Sequence, residues 1–360
     1  MINNQHPDML PVIAGVEGLT LTPRERELFS LLQPAGYILF TRNIADYELT
    51  RELTDELRRL TSGPDAPIIA IDQEGGRVVR TAEIGVQLPS AAALARTGDS
   101  HLIAQAAYYN ERALATMGIN TNFAPVLDIA SPYANALPSR CWGNDSQEVI
   151  TNAGVWNRLL HRRGFMTCGK HFPGMGLAEC DPHHDLPVLH GTQDDFLREA
   201  ALPFTALMPE LPSLMIAHLL IPEIDAELPT SLSPALVQGF LRDQLGYEGI
   251  VFTDDLCMGA IAKRYTPAES VPLALMAGCD LPLVCHDAVE HLPAVAEAVN
   301  KLSRDVLEPV EVRIERFRRF LTTTRPMSFL EWNDYLEDVR AFCASVPEVG
   351  AAPGSPVQNY

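Results

Sequence analysis

Positive charge is scarce in this sequence: 27 Lys and Arg stand against 46 Asp and Glu over 360 residues, a formal net charge of −19. That balance leaves no broad basic surface for nucleic acid or an anionic membrane, so partners of those classes are not expected. A small molecule or a neutral polymer is the partner class that remains. Long apolar runs are missing as well, none approaching the roughly 20 residues that cross a bilayer. The opening MINNQHPDMLPVIAGVEG has no basic start, apolar centre and small-residue cleavage site in succession, so the expected location is the cytoplasm. The seven cysteines, at 141, 168, 180, 257, 279, 285 and 343, are odd in number and lack the close pairs of a zinc or redox motif. Reduced thiols packed as small apolar side chains are expected. What the sequence has in quantity is apolar material: 47% hydrophobic residues against 20% charged ones, ample for a large core.

That apolar material comes in short, often β-branched runs, each followed by a stretch of helical periodicity. Eight such runs occur: PVIAGV (11–16), GYILF (36–40), PIIAID (67–72), INTNFAPVLDI (119–129), FMTCGK (165–170), SLMIAHL (213–219), GIVFTD (249–254) and LPLVCH (281–286). Helix candidates between them include YELTRELTDELRRL and SPALVQGFLRDQLG, the latter with Ser233 as N-cap, Pro234 in the first turn and Gly246 as the stop. Eight βα units predict an α/β protein, a (β/α)8 TIM-type barrel. A doubly wound sheet would carry a glycine-rich phosphate loop after its first strand, and none is present. The expected division is a barrel over 1–325, a C-terminal helical extension over 326–346 and a disordered tail over 347–360.

In such barrels the chemistry gathers where strands end and the following loops begin. The runs end accordingly: on Asp72, Asp128, Lys170 with His171, His218, Asp254 with Asp255, and Cys285 with His286. In GIVFTDDL two adjacent carboxylates point to different sides, so one can face the cavity while the other caps or braces. Asp254 is expected in the cavity. In AIDQEGGRVVR, Gly75 and Gly76 permit a tight turn after Asp72, and Arg77 and Arg80 follow. They either recognise substrate at the mouth or hold the loop through an internal ion pair. In GKHFPGMGLAECDPHHDLPV (169–188), Lys170 and His171 close a strand, and Asp181 then stands two residues from His183. An Asp that accepts from one imidazole nitrogen leaves the other free to give or take a proton near neutral pH. The competing readings are a solvated loop and a metal site from Cys180, His183, His184 and Asp185. The metal reading needs three converging ligands, and His neighbours on a loop face one ion poorly.

ILFTRN (38–43), DQEGGRV (72–78), NFAPVLD (122–128), KHFPG (170–174), the Asp-x-His at 181 and 183, and TDDL-x-M (253–258) occur in that order over nearly the whole barrel. Together they closely resemble the single-domain bacterial β-N-acetylglucosaminidases of glycoside hydrolase family 3 that act in peptidoglycan recycling. The resemblance implies a retaining exo-glycosidase with Asp254 as nucleophile and His183 with Asp181 as acid/base pair. It also implies that Asp72, Arg80, Arg140, Lys170 and His171 hold the terminal N-acetylglucosamine, and that neither a metal nor an organic cofactor is used. Two positions depart from the family pattern: Met175 stands where His is common, and Pro182 where Ser is frequent. A phosphorylase on the same scaffold and a non-catalytic sugar-binding protein are the alternative readings.

Overall fold

All eight apolar runs become strands. They are β1 (Leu10–Gly15), β2 (Pro34–Leu39), β3 (Ile68–Ile71), β4 (Thr121–Asn122), β5 (Met166–Phe172), β6 (Ser213–Ile216), β7 (Ile250–Asp255) and β8 (Leu281–Val284). Every neighbouring pair is parallel and in chain order, and β1 pairs with β8 through Ile13 and Leu283, which closes the barrel. The structure is a computed structural model that describes residues 9–130, 137, 139–176 and 185–348. Cys180, Asp181, Pro182, His183 and His184, and the tail from 349, lie outside the described residues.

β4 is the strand that differs most from expectation, two residues in place of a long run. The reason is Pro125, which has no N–H to give a ladder. Side-chain amides take over part of the pairing with β3: Asn120 accepts from Ile69 N–H at 2.8 Å, and Asn122 accepts from Gln73 N–H at 3.0 Å while donating to Gln73 O at 2.9 Å. Parallel pairing returns as an isolated bridge between Val126 and Lys170. Backbone bonding to β5 then runs as far as Leu127, whose N–H donates to Lys170 O at 2.6 Å, and Asp128 is the next residue.

The helices between strands follow their end signals. Helix Tyr47–Leu60 starts at Asp46, whose carboxylate accepts from Leu49 N–H at 2.6 Å, and it buries Leu53 and Leu57. The segment Ala235–Gln244 is wound as a π-helix, with the Ser233 hydroxyl accepting from Leu236 N–H at 3.3 Å. Gly246, at φ +70, follows its end. Past the barrel, helix Phe329–Ser345 lays Trp332 on Tyr47 with ring centroids 4.6 Å apart, and Tyr335 donates to the Tyr109 carbonyl at 2.9 Å. Its apolar face continues the barrel's own core. Beyond it, Glu348 accepts from the backbone and hydroxyl of Ser90, the N-cap of helix Ala91–Arg96 beside the glycine turn that follows β3. No helix among the described residues is long and apolar enough to cross a membrane.

Candidate active site

The first part of the site is built at the end of β3. Asp72 leaves the strand, and Glu74, Gly75 and Val78 close a tight turn in which Glu74 and Gly75 N–H both reach the Val78 carbonyl. Gly75 has φ +103, and a Cβ there would lie 2.4 Å from the Pro89 carbonyl oxygen. The position therefore takes no side chain. Gln73 ties the turn together, accepting from Arg80 N–H at 2.8 Å and donating to Thr81 at 2.6 Å.

The turn faces β5, and the two sides meet in a buried ionic network. Lys170 Nζ lies 2.7 Å from both Asp72 Oδ1 and Glu74 Oε1. Arg140 forks onto Glu74, Nε to Oε2 and Nη2 to Oε1, each at 2.8 Å. Arg80, 2% exposed, stands 3.7 Å from Asp72 Oδ2 with its guanidinium 5.4 Å from the Phe40 ring centre. Burial alone would raise the Glu74 carboxyl, but attraction to Arg140 and Lys170 and their hydrogen bonds outweigh it and hold the group well below the usual carboxylate range. Burial likewise works to lower Lys170, and Asp72 and Glu74 outweigh it, so the ammonium is held above its usual value. Arg140 is raised too, as Glu74 overcomes its desolvation. Glu74 thus holds Lys170 and Arg140 in the charged form, and the two cations hold Glu74 in its own.

His171 follows Lys170 and turns its ring the other way. Its Nδ1 is 2.7 Å from Asp128 Oδ2, and its Nε2 is 3.4 Å from Arg140 Nη2. Asp128, wholly buried, also accepts from the backbone N–H of His171 at 3.2 Å and of Met175 at 2.7 Å. The Met175 side chain fills a small apolar cluster with Val126, Cys141, Leu189 and Phe196, so the position that departs from the family pattern is occupied by packing.

At the end of β7 the two carboxylates separate as adjacency requires. Asp255 is buried and braced: Oδ1 accepts from Cys257 N–H at 3.0 Å and Cys285 N–H at 3.2 Å, and Oδ2 lies 3.3 Å from His286 Nδ1. Its carbonyl accepts from His218 Nε2 at 2.9 Å, and since a carbonyl can only accept, that nitrogen carries the proton. The other ring nitrogen meets Ser231 at 2.8 Å. Asp254 is half-buried, with Oδ1 accepting from Asp255 N–H at 2.9 Å.

Of the residues expected from sequence, Asp72, Arg80, Arg140, Lys170 and His171 form one connected cluster, and Asp254 stands at the same end of the barrel. Asp181 and His183 lie outside the described residues. Arg80 is buried beside Asp72, as its ion-pair reading expects. Sequence reasoning gives Glu74, inside the DQEGGRV motif, no role and names Asp128 and His218 only as polar strand ends; no local signal names the partner of any of the three. Asp185 pairs with Lys263 at 3.5 Å on an exposed surface, and among the described residues no group of three or more His, Cys, Asp or Glu is placed to hold a metal ion. Burial, then Asp255, pushes the Cys257 thiol up to about 12, so it is a poor nucleophile despite its place beside the site.

Comparison with known proteins shows the family and the fold. Residues 12–319 match the family model described as the glycosyl hydrolase family 3 N terminal domain. The chain is 34% identical to a beta-hexosaminidase of Bordetella avium over 321 residues, 84% of this chain and 91% of that one. It is also 34% identical to one of Pseudomonas aeruginosa over 277 residues, 77% and 82% of the two chains. Among solved structures, NagZ from Neisseria gonorrhoeae in complex with N-trifluoroacetyl-D-glucosamine superposes with TM-score 0.79 at 27% identity, covering 95% of this chain and 98% of that one. A family 3 beta-N-acetylglucosaminidase from Paenibacillus sp. superposes with TM-score 0.83 at 30% identity, covering 95% and 69%. A closed eight-strand barrel whose strand ends carry this charged cluster, matched by the family model over most of its length, belongs to glycosyl hydrolase family 3, and the chain is a glycoside hydrolase of its beta-hexosaminidase branch.

Proposed function

We propose that this chain is a retaining exo-β-N-acetylglucosaminidase that removes terminal non-reducing N-acetylglucosamine from peptidoglycan-derived anhydromuropeptides in the cytoplasm. The observation that carries the reading is the convergence of Asp72, Arg80, Arg140, Lys170 and His171 at the end of the barrel that also holds Asp254. Permanently charged donors with a carboxylate among them suit a ring of hydroxyls in a dry pocket. The bound N-trifluoroacetyl-D-glucosamine of the gonococcal neighbour supports the sugar class.

In the mechanism, Asp254 attacks the anomeric carbon as the bond to the leaving oxygen breaks, and that oxygen takes its proton from His183. A glycosyl ester on Asp254 results. Water then gives a proton to His183 and attacks the same carbon, releasing Asp254 and the sugar with net retention. Asp181 keeps the His183 ring oriented and favours its protonated form. Asp255 does different work, clamping the end of β7 to β8 through Cys257, Cys285 and His286 and leaving the neighbouring carboxylate aimed at the mouth.

The reading is tested with a panel of nitrophenyl glycosides: β-N-acetylglucosaminide, β-N-acetylgalactosaminide, β-glucoside and β-xyloside, with the anomer of the released sugar followed by NMR. Preferred cleavage of the β-N-acetylglucosaminide with β-N-acetylglucosamine as first product is expected. Preference for the β-glucoside, or release of the α-anomer, overturns the reading. Formation of a sugar 1-phosphate when phosphate is added would reassign the acceptor from water.

A further inference from the structure

We propose that Asp128 is a positioning residue for this reaction, setting the proton of the His171 ring so that Nε2 is offered to the substrate as a hydrogen-bond acceptor. The inference rests on the reading of His171 as part of the sugar subsite. Its basis is geometric. Asp128 comes at the end of the fourth apolar run, directly after Leu127 makes the last backbone bond to Lys170, and is wholly buried. Its Oδ2 faces His171 Nδ1 at 2.7 Å, while the His171 and Met175 backbone N–H groups satisfy the rest of the carboxylate at 3.2 and 2.7 Å.

A carboxylate so surrounded by donors accepts from each of them, so Nδ1 bears a proton. On the opposite edge of the ring, Nε2 lies 3.4 Å from Arg140 Nη2, and a guanidinium can only donate. Two donors would oppose each other there, so Nε2 holds a lone pair. This is the reverse of the tautomer His218 adopts in the same barrel, where a backbone carbonyl fixes the proton on Nε2. The remaining donors of the cluster, Arg140, Lys170 and Arg80, can bind only the oxygens of a sugar hydroxyl. A substrate hydroxyl that displaces the long Arg140 contact gives its proton to Nε2 and receives from Arg140, using both halves of its hydrogen-bonding capacity. The substrate feature read here is therefore a free hydroxyl, and an ether or deoxy carbon at that position forfeits the contact.

The test combines nitrogen-15 NMR of protein labelled on its histidine rings with the inhibition constant of N-acetylglucosamine against a nitrophenyl β-N-acetylglucosaminide. His171 is assigned by its disappearance in His171→Gln. The wild-type ring should show a protonated Nδ1 and a bare Nε2. Asp128→Asn, checked for folding by circular dichroism and its thermal transition, should move the proton to Nε2 because the amide now donates to Nδ1. Inhibition should weaken about ten-fold, the loss of one hydrogen bond. Adding His171→Gln to Asp128→Asn should then cost nothing more. A wild-type ring protonated on Nε2 overturns the inference even if Asp128→Asn fails to fold. Unchanged inhibition in Asp128→Asn beside a clear loss in His171→Gln overturns the positioning role alone. Unchanged inhibition in both variants overturns the sugar-subsite reading and this inference with it.

Discussion

Arg140 and Glu74 meet fork to fork across the mouth of the barrel, with Nε on Oε2 and Nη2 on Oε1 at 2.8 Å. Glu74 is almost fully buried and holds Lys170 as well, so it is the carboxylate on which two cations of the site depend. Glu74→Gln keeps the shape but leaves Arg140 without a counter-charge in a dry environment, and it should destabilise the fold by about 3–5 kcal/mol. The pH dependence follows from the directions of the shifts. Glu74 is depressed in the native state, so its contribution is fully present above its unfolded value of about 4.3 and is lost as pH falls through the depressed native one. Lys170 is raised, so its contribution is fully present below about 10.4 and is lost as pH rises through the native value. Thermal melts of wild type and Glu74→Gln should converge on acidification below about 4.3. A gap that stays constant into strong acid would contradict the assignment.

The two carboxylates at the end of β7 should separate by what they damage. Asp254→Asn is expected to fold like wild type and lose several orders of magnitude in turnover, and a 2-fluoro or 5-fluoro glycoside should label the wild type on Asp254. Asp255→Asn turns one carboxylate oxygen into a donor, so either the Cys257 and Cys285 N–H groups or His286 lose their acceptor, and it should cost about 1–3 kcal/mol of stability with a smaller loss in turnover. Peptide mapping that finds the label on Asp255 or Asp72 would reverse the roles.

Removal of the His183 imidazole should hurt most where the leaving group is poor, since a nitrophenolate departs with little protonation and a sugar alkoxide does not. His183→Ala should keep more activity on a nitrophenyl glycoside than on a disaccharide, and azide should restore turnover of the activated substrate by attacking the intermediate without a base. Asp181→Asn should give a milder defect and move the basic limb of the pH–rate profile to lower pH, as the imidazolium loses its carboxylate. Equal losses on both substrates would rule out the proton-transfer role.

Gly75→Ala tests the turn that presents Asp72 and Glu74. The backbone there has φ +103, and the new methyl would lie 2.4 Å from the Pro89 carbonyl oxygen. Local strain of roughly 1–3 kcal/mol is expected, together with a rise in KM larger than the fall in kcat, because Asp72 is in the proposed sugar subsite. A variant with wild-type melting temperature and KM would show that the turn tolerates what its geometry forbids.

How much of this is legible in the sequence varies with the range of the forces involved. The eight strands and the barrel follow from local apolar runs alternating with helical periodicity, and each strand lies within a few residues of its run. β4 is the exception, although its cause, Pro125, is itself a local feature. The partner of each polar strand end is not legible, because the partners come from distant positions. Lys170 and Asp72 are 98 residues apart, and Arg140 and Glu74 are 66 apart.

The order of apolar and amphipathic segments determined the barrel by itself, because burial of each strand face and helix stripe is decided within a window of some ten residues. The same order placed Asp72, Lys170, His171 and Asp254 at one end, since parallel strands all finish on the same side. Which carboxylate meets which cation was decided only by tertiary structure. A hydrogen bond requires approach to within a few tenths of an ångström, and barrel closure alone sets that distance between strands far apart in the chain. Thus Glu74, which the sequence does not single out, and Asp128, legible there only as a polar strand end, became the groups that hold Arg140, Lys170 and His171 in place.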